Sequence, residues 1–171
     1  PWYAEMSMAP QQHRIVTEGP LHDGRGHLKE PGYATSLLLH YNRARVKTPT
    51  WRIKEWDYYL INDDEYAVAL TLGDLGYMGL VSASVIDLGA QTYVTASVTV
   101  PFPMGSFKLP PASSGGISEY ENARAHLRFE VREGVRKLRA VFKRFDGDDT
   151  LEVDALLDEE PDDSMVIATP W

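Results

Sequence analysis

The sequence predicts an all-β protein, an antiparallel barrel or sandwich preceded by an irregular N-terminal segment. Three observations carry this. Seven or eight short runs either alternate apolar and polar residues or are rich in β-branched and aromatic side chains. Polar or glycine-containing turns separate them. No stretch holds a 3.6-residue apolar period long enough for a long helix.

Up to about residue 50 the turn signals Glu18-Gly19-Pro20, His22-Asp23-Gly24 and Glu30-Pro31-Gly32 crowd out long elements. Between them Ala34–Tyr41 is a short apolar run that fits either one helical turn or a strand. Ile53–Asn62 then alternates, with Trp56, Tyr58 and Leu60 on one face and Glu55, Asp57 and Tyr59 on the other. A polar turn at 62–65 leads to a strand over Tyr66–Leu72. Gly73-Asp74-Leu75-Gly76 turns into Tyr77–Leu88, and Gly89-Ala90-Gln91 into Thr92–Val100. These four strands read as a meander.

Pro101-Phe102-Pro103-Met104-Gly105 interrupts the sheet, and Pro110–Gly116 (PPASSGG) reads as a flexible, flap-like loop. A second strand group follows. Ala125, Leu127, Phe129 and Val131 alternate with charged residues, Glu133-Gly134 turns, and Val135–Phe145 returns. Asp146–Asp149 turns again into Leu151–Asp158. The basic outer face of one strand meets the acidic outer face of the next, which sets register.

Composition bounds the chemistry. The 171 residues include 43% hydrophobic and 25% charged ones, ordinary for one globular domain. Seventeen basic against twenty-five acidic residues leave a net charge of −8, which argues against a nucleic-acid partner. With no cysteine, disulfides, thiolate catalysis and Cys-ligated metals are excluded. No apolar run is long enough for a membrane span, and no signal peptide is visible, so the expected location is cytoplasmic.

Motifs for catalysis or cofactors are sparse. The histidines His13, His22, His27, His40 and His126 show neither HxH nor HExxH spacing; His22, Asp23 and His27 can approach one another in one turn, but a site there would be shallow and lack an ordered second shell, and no metal is expected. Asp146, Asp148 and Glu152 lack the glycine and spacing of a calcium loop. No GxSxG elbow, GxGxxG or Walker loop occurs, so no cofactor is expected. The aromatic segment Trp51–Tyr59 remains. In a closed barrel, alternation sends Trp56 and Tyr58 into the lumen as walls for a lipophilic ligand; Tyr77 and Met104 complete the pocket candidates. Glu55 and Asp57, one strand repeat apart, are the weak catalytic candidates.

The strings His13–Leu21, Pro31–Leu37 and Tyr41-Asn42-Arg43 resemble the start of a bacterial family, domain of unknown function 2804. Arg52–Tyr59, Gly76–Leu80, Phe102–Gly105 and Asp163–Pro170 extend the resemblance over residues 13–171. It implies similarity to paired lipocalin-like barrels, among them hydratases of the hydroxyneurosporene synthase type and related AttH-like proteins, and cyclases for polyketide-derived substrates. It also implies that this chain is the N-terminal half of a protein about twice as long. Residues 1–12 fall outside it and read as a leader or added residues, with Met6 or Met8 as candidate starts.

The expected function is a lipocalin-like module that binds a lipophilic small molecule. One alternative is a hydratase, isomerase or cyclase acting on an isoprenoid- or polyketide-like substrate. The other is a carbohydrate-binding β-sandwich that stacks sugars on Trp51, Trp56 and Tyr59. The apolar strand 165–171 is expected to leave an edge unpaired and to pair with the missing C-terminal half or a second copy, the alternative being a strand that closes a sheet and then ends.

Overall fold

A computed structural model describes residues 12–158 and 164–169; the expected leader, apart from Gln12, and the last residues of the 165–171 strand lie outside them. Twelve strands follow in order: β1 (Gly19–Pro20), β2 (Gly32–Ala34), β3 (Leu39–His40), β4 (Glu55–Asn62), β5 (Tyr66–Asp74), β6 (Met78–Asp87), β7 (Thr92–Pro101), β8 (Gly116–Glu121), β9 (Ala125–Arg132), β10 (Val135–Phe142), β11 (Leu151–Asp158) and β12 (Val166–Ala168). Single 3-10 turns at Arg43–Arg45 and Thr50–Arg52 are the helical elements among the described residues. None is long and apolar enough to cross a membrane. The chain divides into two units, Pro1–Lys47 with Pro161–Trp171, and Thr48–Glu160.

In the first unit β1 pairs with β3 in parallel, and β2 pairs antiparallel with β12. Ile15, Ala34 and Ala168 are buried together, with Leu21, Leu28, Leu38, Leu39 and Val166 packed on them. The ambiguous run after Ala34 thus resolves as extended chain rather than a helical turn. The C-terminal strand Val166–Ala168 pairs along one edge with Gly32–Ala34 of the same chain, and Ser164 Oγ donates to the Thr35 carbonyl at 3.2 Å. Sequence spacing cannot reveal that partner, because it lies more than 130 positions away.

The second unit is a sandwich of two four-stranded antiparallel sheets, β4-β5-β6-β7 and β8-β9-β10-β11. Closure into a barrel does not occur; each sheet keeps two edge strands. β7 ends at Pro101, and the connection to β8 carries Pro103, Pro110 and Pro111, which supply no backbone donor for a ladder. β8 is an element the sequence reading missed: its inward residues are Ser118, buried, and Tyr120, half-buried, and the buried one is too small and polar to signal a core position.

Between the sheets lies one core. Leu70, Leu72, Val81, Ala83 and Ala96 from the first sheet meet Leu127, Phe129, Leu138, Ala140 and Phe142 from the second. Both sheets mix alanines with larger aliphatic or aromatic side chains on their inner faces. Each fully buried Leu or Phe contributes roughly 1.5–3 kcal/mol. The Tyr59 and Phe129 rings meet edge-on at 4.9 Å. Arg136 donates to the Tyr59 hydroxyl and to the Ser113 carbonyl, both at 2.9 Å. That second bond ties the expected flap to β10.

The two outer faces differ sharply. On the second sheet, directly opposed residues form the row Glu119, Arg128, Arg139, Asp154 and the row Ile117, Glu130, Lys137, Leu156. Arg128 donates to Glu119 at 2.7 Å and to Glu130 at 3.2 Å, and Arg139 to Asp154 at 3.1 Å. On the first sheet the rows are Trp56, Gly73, Leu80, Thr99; Tyr58, Thr71, Ser82, Ser97; Leu60, Ala69, Ser84, Thr95; and Asn62, Ala67, Ile86, Tyr93. None of these residues is charged.

Candidate functional site

The residues singled out from sequence cluster at one end of the first sheet. The β5–β6 turn follows Asp74, whose side chain is completely buried. Its Oδ1 accepts the Gly76 N–H at 3.1 Å, and its Oδ2 accepts the Gly105 N–H at 2.6 Å. One carboxylate therefore binds two turns that lie 29 residues apart. Charge-assisted bonds to backbone donors are the strong kind, and they satisfy a carboxylate that burial would otherwise penalise.

Around this pin the ladder continues past the formal strand ends. The Phe102 N–H reaches the Tyr77 carbonyl at 3.0 Å, and the Met104 N–H reaches the Gly76 carbonyl at 3.0 Å. Phe102 and Met104 both adopt positive φ, +48° and +46°. For side chains of this size that conformation costs about 1 kcal/mol each. Gly76, at φ +79°, lies so close to the Trp51 backbone that an added Cβ would stand 2.3 Å from its carbonyl oxygen. Only glycine fits there.

The consequence is a group of exposed apolar side chains on rigid backbone. Trp51, Tyr77, Phe102 and Met104 all belong to it, each between 47% and 66% exposed. Trp56 stands on β4 opposite Gly73, next to the Asp74 turn, and is 62% exposed. Tyr58 lies one row further along the same face. Thus Tyr77 and Met104, distant in sequence, are brought together, while the expected geometry of Trp56 and Tyr58 is corrected. They share a face, as alternation requires, but it is the outer face of an open sheet and not a lumen. The reason is register. Pairing with β5 sets Asp57 and Tyr59 beside Leu72 and Leu70, the large apolar set that must be buried, and a slip of one residue would reverse every side chain.

Glu55 and Asp57 turn toward the other sheet. Glu55 stands opposite Asp74 in the ladder, and Asp57 Oδ2 accepts the Ser118 hydroxyl from β8 at 2.5 Å. The two candidate carboxylates thus diverge in role; Asp57 links the sheets through Ser118. Two surface concavities, about 90 Å³ among Arg128, Glu130, Lys137 and Arg139 and about 450 Å³ among Ala123, Arg124, Lys143 and Arg144, lie on the second sheet and include none of the candidates.

Elsewhere, the His22–His27 turn is organised by Asp23, whose Oδ1 accepts the N–H groups of Arg25 and His27 at 2.8 and 2.9 Å. The His27 N–H bond, with Arg25 behind it, holds the Asp23 carboxyl below its ordinary value. Among the described residues no three His, Asp or Glu side chains group as a metal site. Asp74 and Phe102, read from sequence as turn and loop residues, were not among the candidate site residues. The available signal was the pair of strings Gly76-Tyr77-Met78-Gly79-Leu80 and Phe102-Pro103-Met104-Gly105, two of those that carry the family resemblance, which the fold sets side by side.

One family model, described as Domain of unknown function (DUF2804), matches residues 12–171. The chain is a DUF2804 protein. No curated protein and no solved structure matches it. The DUF2804 match spans both units and the whole aromatic end, so Trp51, Asp74, Tyr77, Phe102 and Met104 are part of the family region rather than an addition to it.

Proposed function

We propose that this DUF2804 chain is a binding module for a lipophilic small molecule, taken on the outside of the sandwich at the aromatic end of the first sheet. The observation that supports this is the exposed group Trp51, Trp56, Tyr77, Phe102 and Met104 around two turns pinned by the buried Asp74. Apolar surface held on a strained, hydrogen-bonded backbone loses little entropy when a ligand covers it. Backbone strain maintained by surrounding bonds is the kind found at binding sites. The neighbouring sheet face lacks charge, which suits an uncharged apolar ligand.

A second reading has its own support. Trp56 and Tyr58 stand on one open face beside hydroxyl-bearing rows, an arrangement on which a sugar ring can stack. Tyr59, expected in that platform, is instead packed on Phe129.

The test is a fluorescence titration of the tryptophans with farnesol and, in parallel, laminarihexaose. Farnesol should give a saturable change that Phe102→Ser weakens about tenfold, the loss of one apolar contact. Saturation with the hexasaccharide alone would replace the lipophilic reading by the carbohydrate one. No saturation with either probe would end both.

A further inference from the structure

We infer that the uncharged outer face of the first sheet is a self-association surface, covered in solution by a second copy of this chain. Its four rows carry only aliphatic, aromatic, hydroxyl and amide side chains together with glycine, in a protein of which a quarter is charged. Sheet faces exposed to water are ordinarily polar and charged, as the other outer face is. An uncharged face this broad is an interaction surface.

Three observations select a second copy as the occupant. The first is electrostatic. Each chain carries −8, so two copies repel unless they meet where neither presents charge, and this face offers that. The second is relief. Trp56, Tyr58 and Leu60 form a tall ridge along β4, each more than half exposed, while Thr99, Ser97 and Thr95 form a low row along β7. A two-fold axis in the interface plane and parallel to the strands lays β4 of one copy over β7 of its partner. Ridge then enters trough twice, and Asn62 meets Tyr93. An axis across the strands would set ridge on ridge. An isologous contact needs such self-complementarity. The third is area. Four strands at about 4.8 Å spacing and eight residues at about 3.4 Å outline roughly 500 Å². Two copies therefore bury roughly 1,000 Å², the floor for a specific interface, before the projecting aromatics are added.

This surface shares Trp56 with the proposed ligand site but not Trp51, Tyr77, Phe102 and Met104, so Ser97→Arg, which tests the dimer, and Phe102→Ser, which tests the ligand site, keep the two failures apart. Sedimentation velocity of the whole chain over a micromolar concentration series should show a monomer–dimer equilibrium. Ser97→Arg, on an exposed position of the trough, should weaken the dimer about 100-fold by setting an unpaired charge beneath Tyr58. Leu156→Arg, equally exposed on the charged sheet, should leave it unchanged. Since the chain has no cysteine, Tyr58→Cys with Ser97→Cys gives a clean second readout: a short bismaleimide should link two chains through unlike positions. A monomer throughout the series, or a dimer indifferent to Ser97→Arg, overturns the inference. So does a dimer that cross-links Tyr58→Cys to itself more readily than to Ser97→Cys.

Discussion

The two sheets of the sandwich make one core with nearly equal shares, yet they present opposite chemistry to solvent. The second sheet spends its outer face on crossed ion pairs, Glu119–Arg128–Glu130 and Arg139–Asp154, which fix register and keep the face wet. On the first sheet the outer face holds no charge, and its cross-strand bonding there is a hydroxyl pair, Ser84 with Thr95 at 2.7 Å. Solubility does not require one face to be stripped of charge. The difference teaches that two sheets can share one core while their outer faces follow different chemistry.

The largest expected effect breaks what the sheets share. Phe129→Ala empties the space beneath Tyr59 and should cost about 3–5 kcal/mol, with both sheets losing amide protection in a single transition. Independent melting of β4–β7 and β8–β11 would show that the common core is not what holds them. Next comes Asp74→Asn, which keeps the shape but turns one acceptor into a donor facing buried N–H groups. It should cost about 2–3 kcal/mol and speed hydrogen exchange at Gly76 and Gly105 while β9 and β10 stay protected.

Smaller effects sharpen the contrast between the faces. Arg128→Ala should lower stability by about 0.5–1 kcal/mol in dilute buffer, and the difference should fade in about 1 M salt. Ser97→Arg, measured on the monomer, should stay within about 0.5 kcal/mol of the parent. A larger loss would mean that the first sheet excludes charge for its own folding rather than for contact. The smallest effect is pH-linked. The hydrogen bond from His126, together with the Arg128 charge and hydrogen bond, holds the Glu119 carboxyl below its ordinary value of 4.5. Its folded form thus binds protons less readily than the unfolded chain. The stabilisation is present above about pH 4.5 and is lost as pH falls through the lower folded value. Glu119→Gln should be slightly less stable than the parent at neutral pH and indistinguishable from it in strong acid, by thermal melts across that range.

Much of this was legible because strands announce themselves by a period of two. The meander from Glu55 to Pro101 and the hairpins from Ala125 to Asp158 follow directly from alternation and turn chemistry. β8 did not, since Ser118 and Gly116 carry too little apolar signal. β12 was visible as a strand, but its partner, Gly32–Ala34, was not. Asp74 escaped notice because a buried aspartate and a turn aspartate look alike in sequence; only its bond to Gly105, across 31 positions, tells them apart.

By itself, then, the sequence determined the all-β class, the alternating sets of side chains, the turns that join them and the family. Local stereochemistry dictates the first three, and the family follows from the resemblance of whole strings of residues. The tertiary structure decided which set of β4 faces the core, whether the sheets close, and which turns meet at the aromatic end. Those outcomes depend on pairing register and on contacts between distant segments. Trp56 and Tyr58 point outward because Leu70 and Leu72 on the neighbouring strand had to point in.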